Sequence, residues 1–241
     1  MVLAMAAFAL EDTFVKRASV SMSVAQVLVL LGLGGMAVFW CAARLGGRAV
    51  FVPEVLSVTM GVRALFEVTG RLFFVLALAL TPLSTTTVIL QATPLVVVAG
   101  AALLFGERVG WRRWLAVLVG LSGVLVIVQP WSDGFSALAI LALIGMLGFA
   151  GRDLASRVAP ASLGAPVLGF YGYLAVVVAG TLVASYSRTA WTWADHGAAW
   201  SMLAAVVTGT SAYASLMKAM RTGDVSAVTP LKGGRWRVDA D

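Results

Sequence analysis

Two acidic residues, Glu11 and Asp12, lie side by side within an otherwise apolar stretch at the start of the chain. At 1.5 Å per residue, they lie about 15 Å from the beginning of a helix that starts at Met1. If this helix crosses a membrane, the pair is near the middle of the bilayer, where an ionisable group is a candidate for handling substrate or protons. If the helix begins at the membrane surface, both acids are interfacial.

A second group of charges follows at regular intervals. Arg63, Glu67 and Arg71 recur every four residues, which places them on one face of a helix. Glu67 can neutralise one or both arginines, so a structural ion network is favoured over direct contact with a substrate. Arg152 and Asp153 form a third group, and Arg152 has two interpretations. It either faces the acids across a cavity or caps a helix at the cytoplasmic surface.

Two further stretches each carry a polar stripe with steps of three, four and three residues. The stripes comprise Ser84, Thr87, Gln91 and Pro94 in one stretch, and Thr208, Ser211, Ser215 and Lys218 in the other. Such spacing places the members of a stripe on one helical face. Lipid does not solvate polar side chains, so both stripes are predicted to line a polar cavity together. Tyr171 and Tyr173 are either an aromatic wall of this cavity or packed against lipid.

Composition indicates what must position these residues. Of the 241 residues, 61% are hydrophobic and 12% are charged, and the mean hydropathy is +0.97. Soluble domains average about half apolar and a quarter charged residues. The chain is therefore predicted to be an all-α polytopic membrane protein. Its apolar runs are long and lack the period-two alternation of strands.

About eight transmembrane helices are predicted from the apolar runs. They cover residues 1–20, 24–43, 57–80, 83–105, 111–128, 135–157, 161–187 and 198–221. Basic residues are concentrated in one set of the connecting loops, which include Arg44, Arg48, Arg108, Arg112, Arg113, Arg152, Arg157, Lys218 and Arg221. The opposite set contains Lys16, Arg17 and Arg188. Because positive loops stay inside, the N-terminus is predicted to be cytoplasmic in a multi-pass protein of the inner cell membrane.

Several classes of function are disfavoured by what the sequence contains. One cysteine and one histidine argue against an internal disulfide and against a metal site, and no cofactor is predicted. The net charge is +6, but the sequence has no basic patch interleaved with aromatic residues, as a nucleic-acid-binding protein would have. An enzyme is disfavoured because no nucleophile–base pair is evident. The available acid/base groups would be Glu11, Asp12 and His196, and His196 is predicted in an outer loop.

An internal repeat is suggested by two short matches at the same offset. Asp153 follows Asp12 by 141 residues, and each has an aromatic residue and a basic residue at matching positions around it. The same offset relates the segment 81–84 to the segment 222–225. If the repeat is real, each copy holds five spans, and an odd number inverts the second copy relative to the first. Inverted repeats are typical of secondary transporters.

The stretch 63–130 resembles the EamA-type domain of the drug/metabolite transporter superfamily. The resembling features are the segment Thr81-Pro82-Leu83-Ser84, Pro94, the hinge Phe105-Gly106-Glu107-Arg108, and Gly120 with Gly123. The segment 223–230 is similar to the start of the same region in a second domain. The resemblance implies ten helices in two inverted five-helix domains. It also implies movement of small metabolites or drugs, often outward, by alternating access.

The end of the chain departs from this pattern. The apolar run stops after Leu231, and residues 232–241 carry Lys232, Arg235 and Arg237, so this tail is expected to be non-helical and cytoplasmic. The domains expected are a first repeat at 1–130 and an incomplete second repeat at 135–231. Weak or absent transport is therefore expected, and a non-transporting remnant or assembly partner is the alternative function. The expected partners are membrane lipid and a small-molecule substrate, with a homodimer as one mode of assembly.

Overall fold

The computed structural model describes residues 2–81, 83–107, 109–129, 138–160, 162–187, 191–192 and 195–222. Throughout these ranges the regular structure is helical. The helices are α1 (Val2–Ala18), α2 (Val24–Leu45), α3 (Val58–Leu80), α4 (Leu83–Gln91), α5 (Thr93–Phe105), α6 (Trp111–Val128), α7 (Ala139–Arg157), α8 (Ala165–Ser187) and α9 (His196–Thr222), with one 3₁₀ turn at Pro53–Leu56. The prediction of an all-α polytopic membrane protein is confirmed.

Four of the described spans are long and apolar enough to cross a membrane by length and composition. They are Val24–Leu45, Thr85–Phe105, Ala139–Arg157 and Ala165–Ser187. The helix α3 is just as long, but it contains Arg63, Glu67 and Arg71. The count of about eight spans therefore stays a prediction.

The predicted span 83–105 contains one of these four candidates, but it is not a single continuous α-helix, because a turn at Ala92 divides it into α4 and α5. Pro94 has no backbone N–H to donate to the preceding turn, so the regular hydrogen-bond ladder cannot continue through it. The hydroxyl of Thr93 donates to the Leu90 carbonyl at 2.5 Å, and the N–H of Ala92 donates to Ile89 at 3.1 Å. The first bond satisfies the Leu90 carbonyl, which the missing Pro94 N–H leaves free, and the second forms a 3₁₀-type turn at the break.

Other boundaries are set by caps. The Ser23 hydroxyl accepts from the Gln26 N–H at the start of α2, and Asp195 accepts from the Ala198 N–H at 2.7 Å to begin α9. His196 is therefore the first residue of α9 and not part of a loop. Gly106 ends α5 with φ +66°, a left-handed conformation that glycine adopts at little cost.

The bundle is built from three extensive helix pairs: α2 on α8, α3 on α7, and α1 on α9. The pair α3–α7 is close because Gly70 and Gly148 face each other. A Cβ added at Gly148 would lie 2.6 Å from the Gly70 Cα. Small residues at such positions let helices approach closely in membranes. This close contact brings the charged residues of α3 against those of α7.

Some predictions concern residues outside the described ranges. These are the charged tail at 232–241, the segment 223–230, the first residues of the predicted span 135–157, and the hinge residue Arg108. Ser84 belongs to α4, and its side chain is also outside the described part.

Candidate functional site

Glu67 of α3 lies at the centre of a buried ionic network between α3, α7 and α9. One carboxylate oxygen accepts a hydrogen bond from Arg152 Nη1 at 3.1 Å, and the other lies 3.6 Å from Arg63 Nη2. Asp153 Oδ1 accepts a hydrogen bond from Arg152 Nε at 2.8 Å and lies 2.7 Å from Arg152 Nη2 in an ion pair. Two carboxylates therefore balance two guanidiniums, as buried charges require.

Neutral groups complete this network. Arg63 donates from Nε to the Ser156 hydroxyl at 2.9 Å, and from Nη2 to the Leu168 carbonyl at 3.1 Å. Arg63 Nη2 also donates to the hydroxyl of Tyr213 on α9, which itself donates to Glu67 at 3.0 Å. Tyr213 thus links both charges. We call this set the ionic network; it comprises Arg63, Glu67, Arg152, Asp153, Ser156 and Tyr213.

A second group of buried polar side chains lies beside the ionic network. Glu11 of α1, Arg71 of α3 and Tyr173 of α8 are 2%, 8% and 1% exposed. Within the described residues, the side-chain atoms Glu11 Oε1, Arg71 Nε and Tyr173 Oη are buried without a hydrogen-bond partner. We call these three residues the unpaired trio.

Phe149 of α7 connects the two groups. The Arg71 guanidinium carbon lies 5.5 Å from the centre of its ring, and that of Arg152 lies 5.1 Å from it. Both distances are within the range of cation–π attraction. The ring therefore contacts one arginine of the ionic network and one arginine of the second group.

The predicted ladder on α3 divides between these groups. Glu67 neutralises Arg63, as the four-residue spacing predicts, but its second partner is Arg152 of α7 and not Arg71. Arg152 is buried at 5% exposure, so it neither caps a helix at the surface nor acts as a loop charge. It faces an acid across the bundle, but that acid is Glu67 and not the Glu11–Asp12 pair.

The remaining candidates lie outside both groups. Asp12, Gln91, Ser211 and Ser215 are exposed, while Thr87 and Thr208 are half-buried. The helix α4 packs mainly against α7 and α6, whereas α9 packs mainly against α1 and α2. The two polar stripes are therefore on different sides of the bundle and do not line one cavity. The hydroxyls of Thr208 and Ser211 donate to carbonyls of their own helix, Ala204 and Val207, both at 2.8 Å.

The sequence does not identify Tyr213 as a site residue, and it leaves two interpretations open for Tyr173. Tyr213 carried no signal, since it is an isolated aromatic residue among small ones in α9. Tyr173 was considered for an aromatic wall or for packing against lipid, but it is buried in the bundle at 5.7 Å from Tyr213, ring centre to ring centre. In the described part of the chain, no group of His, Cys, Asp and Glu residues is arranged to hold a metal ion.

Comparisons with known proteins give relatives that are all named as transporters. A riboflavin transporter of Rhizobium johnstonii is 33% identical over 95 residues, which is 39% of this chain and 32% of that protein. An S-adenosylmethionine uptake transporter of Rickettsia prowazekii is 26% identical over 95 residues, or 39% and 32% of the two chains. A pseudopaline exporter of Pseudomonas aeruginosa is 29% identical over 160 residues, or 65% and 55%.

The chain thus spans between about a third and about half of the length of these relatives. No solved structure matches it significantly. A sequence model of the EamA-like transporter family matches residues 1–129, which is more than half of the chain and includes α1 to α6. The chain belongs to the EamA-like transporter family.

Proposed function

We propose that this chain is a permease of the inner cell membrane that moves a small metabolite or a drug outward, by alternating access of two inverted halves. The observation that carries the proposal is the buried cluster of ionisable side chains, in which α3 of the first half forms an ion pair with α7 of the second. Ionisable groups inside a membrane bundle mark substrate and ion pathways by default, because each is costly to bury. The transporter names of the relatives support the same class of activity.

The proposal of inverted halves, residues 1–130 and 135–231, is supported by the contacts between α2 and α8. A Cβ added at Gly169 would lie 2.6 Å from the Phe39 ring, and one at Gly180 would lie 2.9 Å from Leu28 Cβ. At the offset of 141 residues, Leu28 is equivalent to Gly169 and Phe39 to Gly180. The equivalent pairs thus exchange contacts, as a two-fold axis requires. Because later residues of α2 meet earlier residues of α8, the equivalent helices run in opposite directions.

The proposed outward direction is supported by the names of the relatives. Among the three relatives described above, the protein named as an exporter aligns over the longest stretch, 160 residues. The other two align over 95 residues each, and one of them is named for uptake.

The orientation with the N-terminus inside has its own test. Cys41 is exposed and lies near the end of α2, beside Arg44, at the end of that helix predicted to be cytoplasmic. We expect an impermeant maleimide to leave Cys41 unlabelled in intact cells and to label it after permeabilisation. Labelling in intact cells at the same rate as in permeabilised cells would show that this end of α2 is outside and that the predicted orientation is wrong. The variant Cys41→Ser is the control for background labelling.

Transport is tested by counterflow into proteoliposomes that contain the full chain. The probes are labelled riboflavin, S-adenosylmethionine and a set of L-amino acids, each compared with protein-free liposomes. In contrast to the weak or absent transport expected from the sequence alone, we expect accumulation of at least one probe, because the buried ionisable cluster is present. We expect Glu11→Gln to abolish this accumulation. Asp12→Asn is the matched control, because it neutralises the adjacent but exposed carboxylate. Flux equal to that of empty liposomes from correctly inserted protein, or equal flux in wild type and Glu11→Gln, would contradict the proposal.

A further inference from the structure

The loop between α2 and α3 exposes large apolar side chains, although a connecting loop that faces water is usually polar. Leu45, Phe51 and Leu56 are 90%, 76% and 90% exposed. Side chains of this size gain stability when they leave water. Their concentration within twelve residues therefore indicates a surface that another component covers.

Contacts with α8 hold this loop in place. Val50 is buried, and its carbonyl accepts a hydrogen bond from the Tyr171 hydroxyl at 3.4 Å. The ring of Phe51 packs against that of Phe170, with 6.0 Å between the ring centres. Both contacts fix the loop on the first two turns of α8, so its exposed side chains keep a defined position.

Two arginines lie together where α2 ends. The Gly47 N–H donates to the Arg44 carbonyl at 3.0 Å, and the Arg48 N–H donates to the Ala43 carbonyl at 2.9 Å. This Schellman arrangement, with Gly47 at φ +66°, returns the backbone of Arg48 to the last turn of α2. Backbone donors already satisfy these carbonyls, so neither guanidinium is needed as a cap.

Both arginine side chains are exposed, and their neighbours are not acidic. The Arg44 guanidinium carbon lies 5.4 Å from the centre of the Trp40 ring, within the range of cation–π attraction. Arg48 Nη1 is the atom nearest to the position that a Cβ on Gly164 would take, just before α8. Among the described residues, neither arginine forms an ion pair with a carboxylate. A tryptophan beside a cation at a helix end is typical of a membrane interface.

The apolar surface continues from the loop onto α3. Val58, Val62 and Leu65 are exposed and follow one another at steps of four and three residues, which places them on one face of the helix. In a membrane bundle, an exposed apolar face of this kind meets lipid. Leu56 precedes this face by two residues, so the loop lies at the level where the lipid-facing surface begins.

The charge of the segment selects among the components that could cover it. Residues 44–58 contain Arg44, Arg48 and one acidic residue, Glu54, so the segment is positive. A layer of anionic head groups above hydrocarbon offers phosphates to the guanidiniums and an apolar medium to the exposed leucines. A soluble anion would leave the apolar side chains uncovered, and an apolar protein surface would leave the arginines without counter-charges.

We propose that residues 44–58 form a docking surface for anionic phospholipids at the membrane interface. The guanidiniums of Arg44 and Arg48 bind the phosphates, while Phe51 and Leu56 insert among the upper parts of the acyl chains. The proposal does not depend on transport, because it requires only that the chain is embedded in a membrane. With the N-terminus inside, the surface contacts the cytoplasmic leaflet.

Lipid selectivity is tested on the purified full chain in detergent micelles, by thermal stabilisation. The probes are dioleoylphosphatidylglycerol, dioleoylphosphatidylcholine and inorganic phosphate, each titrated separately. We expect phosphatidylglycerol to bind with an apparent Kd about 30-fold below that of phosphatidylcholine, since each arginine near an anionic surface contributes about fivefold. Equal Kd values for the two lipids would overturn the proposal. Equal stabilisation by inorganic phosphate would indicate a site for a soluble anion and would also overturn it.

Variants locate the selectivity. The double variant Arg44→Gln/Arg48→Gln should raise the Kd for phosphatidylglycerol about 30-fold and leave that for phosphatidylcholine unchanged. Both residues are exposed, so the fold should persist. Lys16→Gln/Arg17→Gln is the matched control, because it removes two exposed cations from the opposite end of the bundle. An unchanged Kd in the first variant, or the same increase in the control, would refute the assignment.

The depth of the loop is measured with an NBD fluorophore attached at Leu56→Cys in the Cys41→Ser chain, reconstituted in vesicles that contain phosphatidylglycerol. We expect quenching by lipids that carry a nitroxide near the head group, and little quenching by aqueous iodide. Glu54→Cys is the control, because it lies in the same 3₁₀ turn about 240° away and should be quenched by iodide. Iodide quenching at Leu56→Cys would overturn the proposal. Protection of Leu56→Cys from both quenchers would show that a protein surface covers the loop, and would also overturn it.

Discussion

The ionic network and the unpaired trio both include residues of α3 and are similarly buried, but they differ in how their polar atoms are satisfied. Arg63 and Glu67 are paired with each other and with groups on α7, α8 and α9. Arg71, one turn further along α3, has no hydrogen bond within the described residues. Among the described residues, the fully buried atom of the network that lacks a hydrogen-bond partner is Arg63 Nη1.

This difference separates two reasons for which a membrane protein retains buried charges. Where each ion is paired and hydrogen-bonded, the charges fix which helix faces meet, and removing one leaves its partners uncompensated. Where buried groups stay unpaired, their desolvation lowers the stability of the fold and no hydrogen bond or ion pair compensates for it. Burial alone therefore does not distinguish structural charges from functional ones, but the pairing of their atoms does.

The largest effect is expected at the centre of the network. Glu67→Gln leaves Arg63 and Arg152 without their shared carboxylate, and breaking a buried pair in this way costs about 3–5 kcal/mol. We expect a loss of that size in the free energy of unfolding, measured in mixed detergent–SDS micelles. Glu11→Gln is the matched control: the same substitution removes a carboxylate that has no partner, so stability should stay the same or rise. Equal destabilisation by both substitutions would remove the distinction between the two regions.

Much of the fold could be predicted because it depends on local signals. The apolar run at 111–128 has the bounds of α6, and the spacing of the α3 charges predicts the Arg63–Glu67 pair. The predicted helix over 83–105 is broken at Ala92, although Pro94 was visible in the sequence. A proline inside a membrane helix is often tolerated, so the sequence alone could not show whether the helix would kink or divide.

The site could be predicted only in part, because it depends on the rotation of each helix about its axis. Adjacent residues on a helix point about 100° apart, so of Glu11 and Asp12 only one could face the same neighbour. The sequence gives no reason to choose Glu11. The pairing of Glu67 with Arg152 also depends on the register between α3 and α7, which Gly70 and Gly148 fix by close contact. Only the three-dimensional structure shows that the Tyr213 hydroxyl contacts Arg63 and Glu67 and so belongs to the network.

A smaller effect is expected from the tyrosine of the network. Tyr213→Phe removes the hydroxyl that accepts from Arg63 and donates to Glu67. Hydrogen bonds to charged groups contribute about 1.5–3 kcal/mol, so we expect a loss in that range in the same unfolding measurement. In a double variant with Glu67→Gln the two losses should not add, because both substitutions disrupt the same contacts. Additive losses would show that Tyr213 acts independently of the network.

Gly209→Ala tests the close packing of Glu11 against α9. The added Cβ would lie 2.6 Å from the Glu11 carboxyl carbon and must displace it. Overpacking of this kind costs about 1–3 kcal/mol, partly offset by the better helix propensity of alanine, which is about 1 kcal/mol. Gly123→Ala in α6 is the control, because a Cβ there meets nothing within 4 Å. If both variants are equally stable, Glu11 is not held against α9.

The smallest effect is expected at Tyr173, and it is the sharpest comparison because Tyr213 undergoes the same change. Both tyrosines are 1% exposed and their rings are in contact, so Tyr→Phe alters burial and packing equally at the two positions. The Tyr173 hydroxyl has no partner within the described structure, so Tyr173→Phe removes a desolvated group without breaking a bond. We expect the free energy of unfolding without ligand to change by less than about 0.5 kcal/mol or to rise. A loss as large as that of Tyr213→Phe would mean that Tyr173 has a structural partner, and that its place in the trio is wrong.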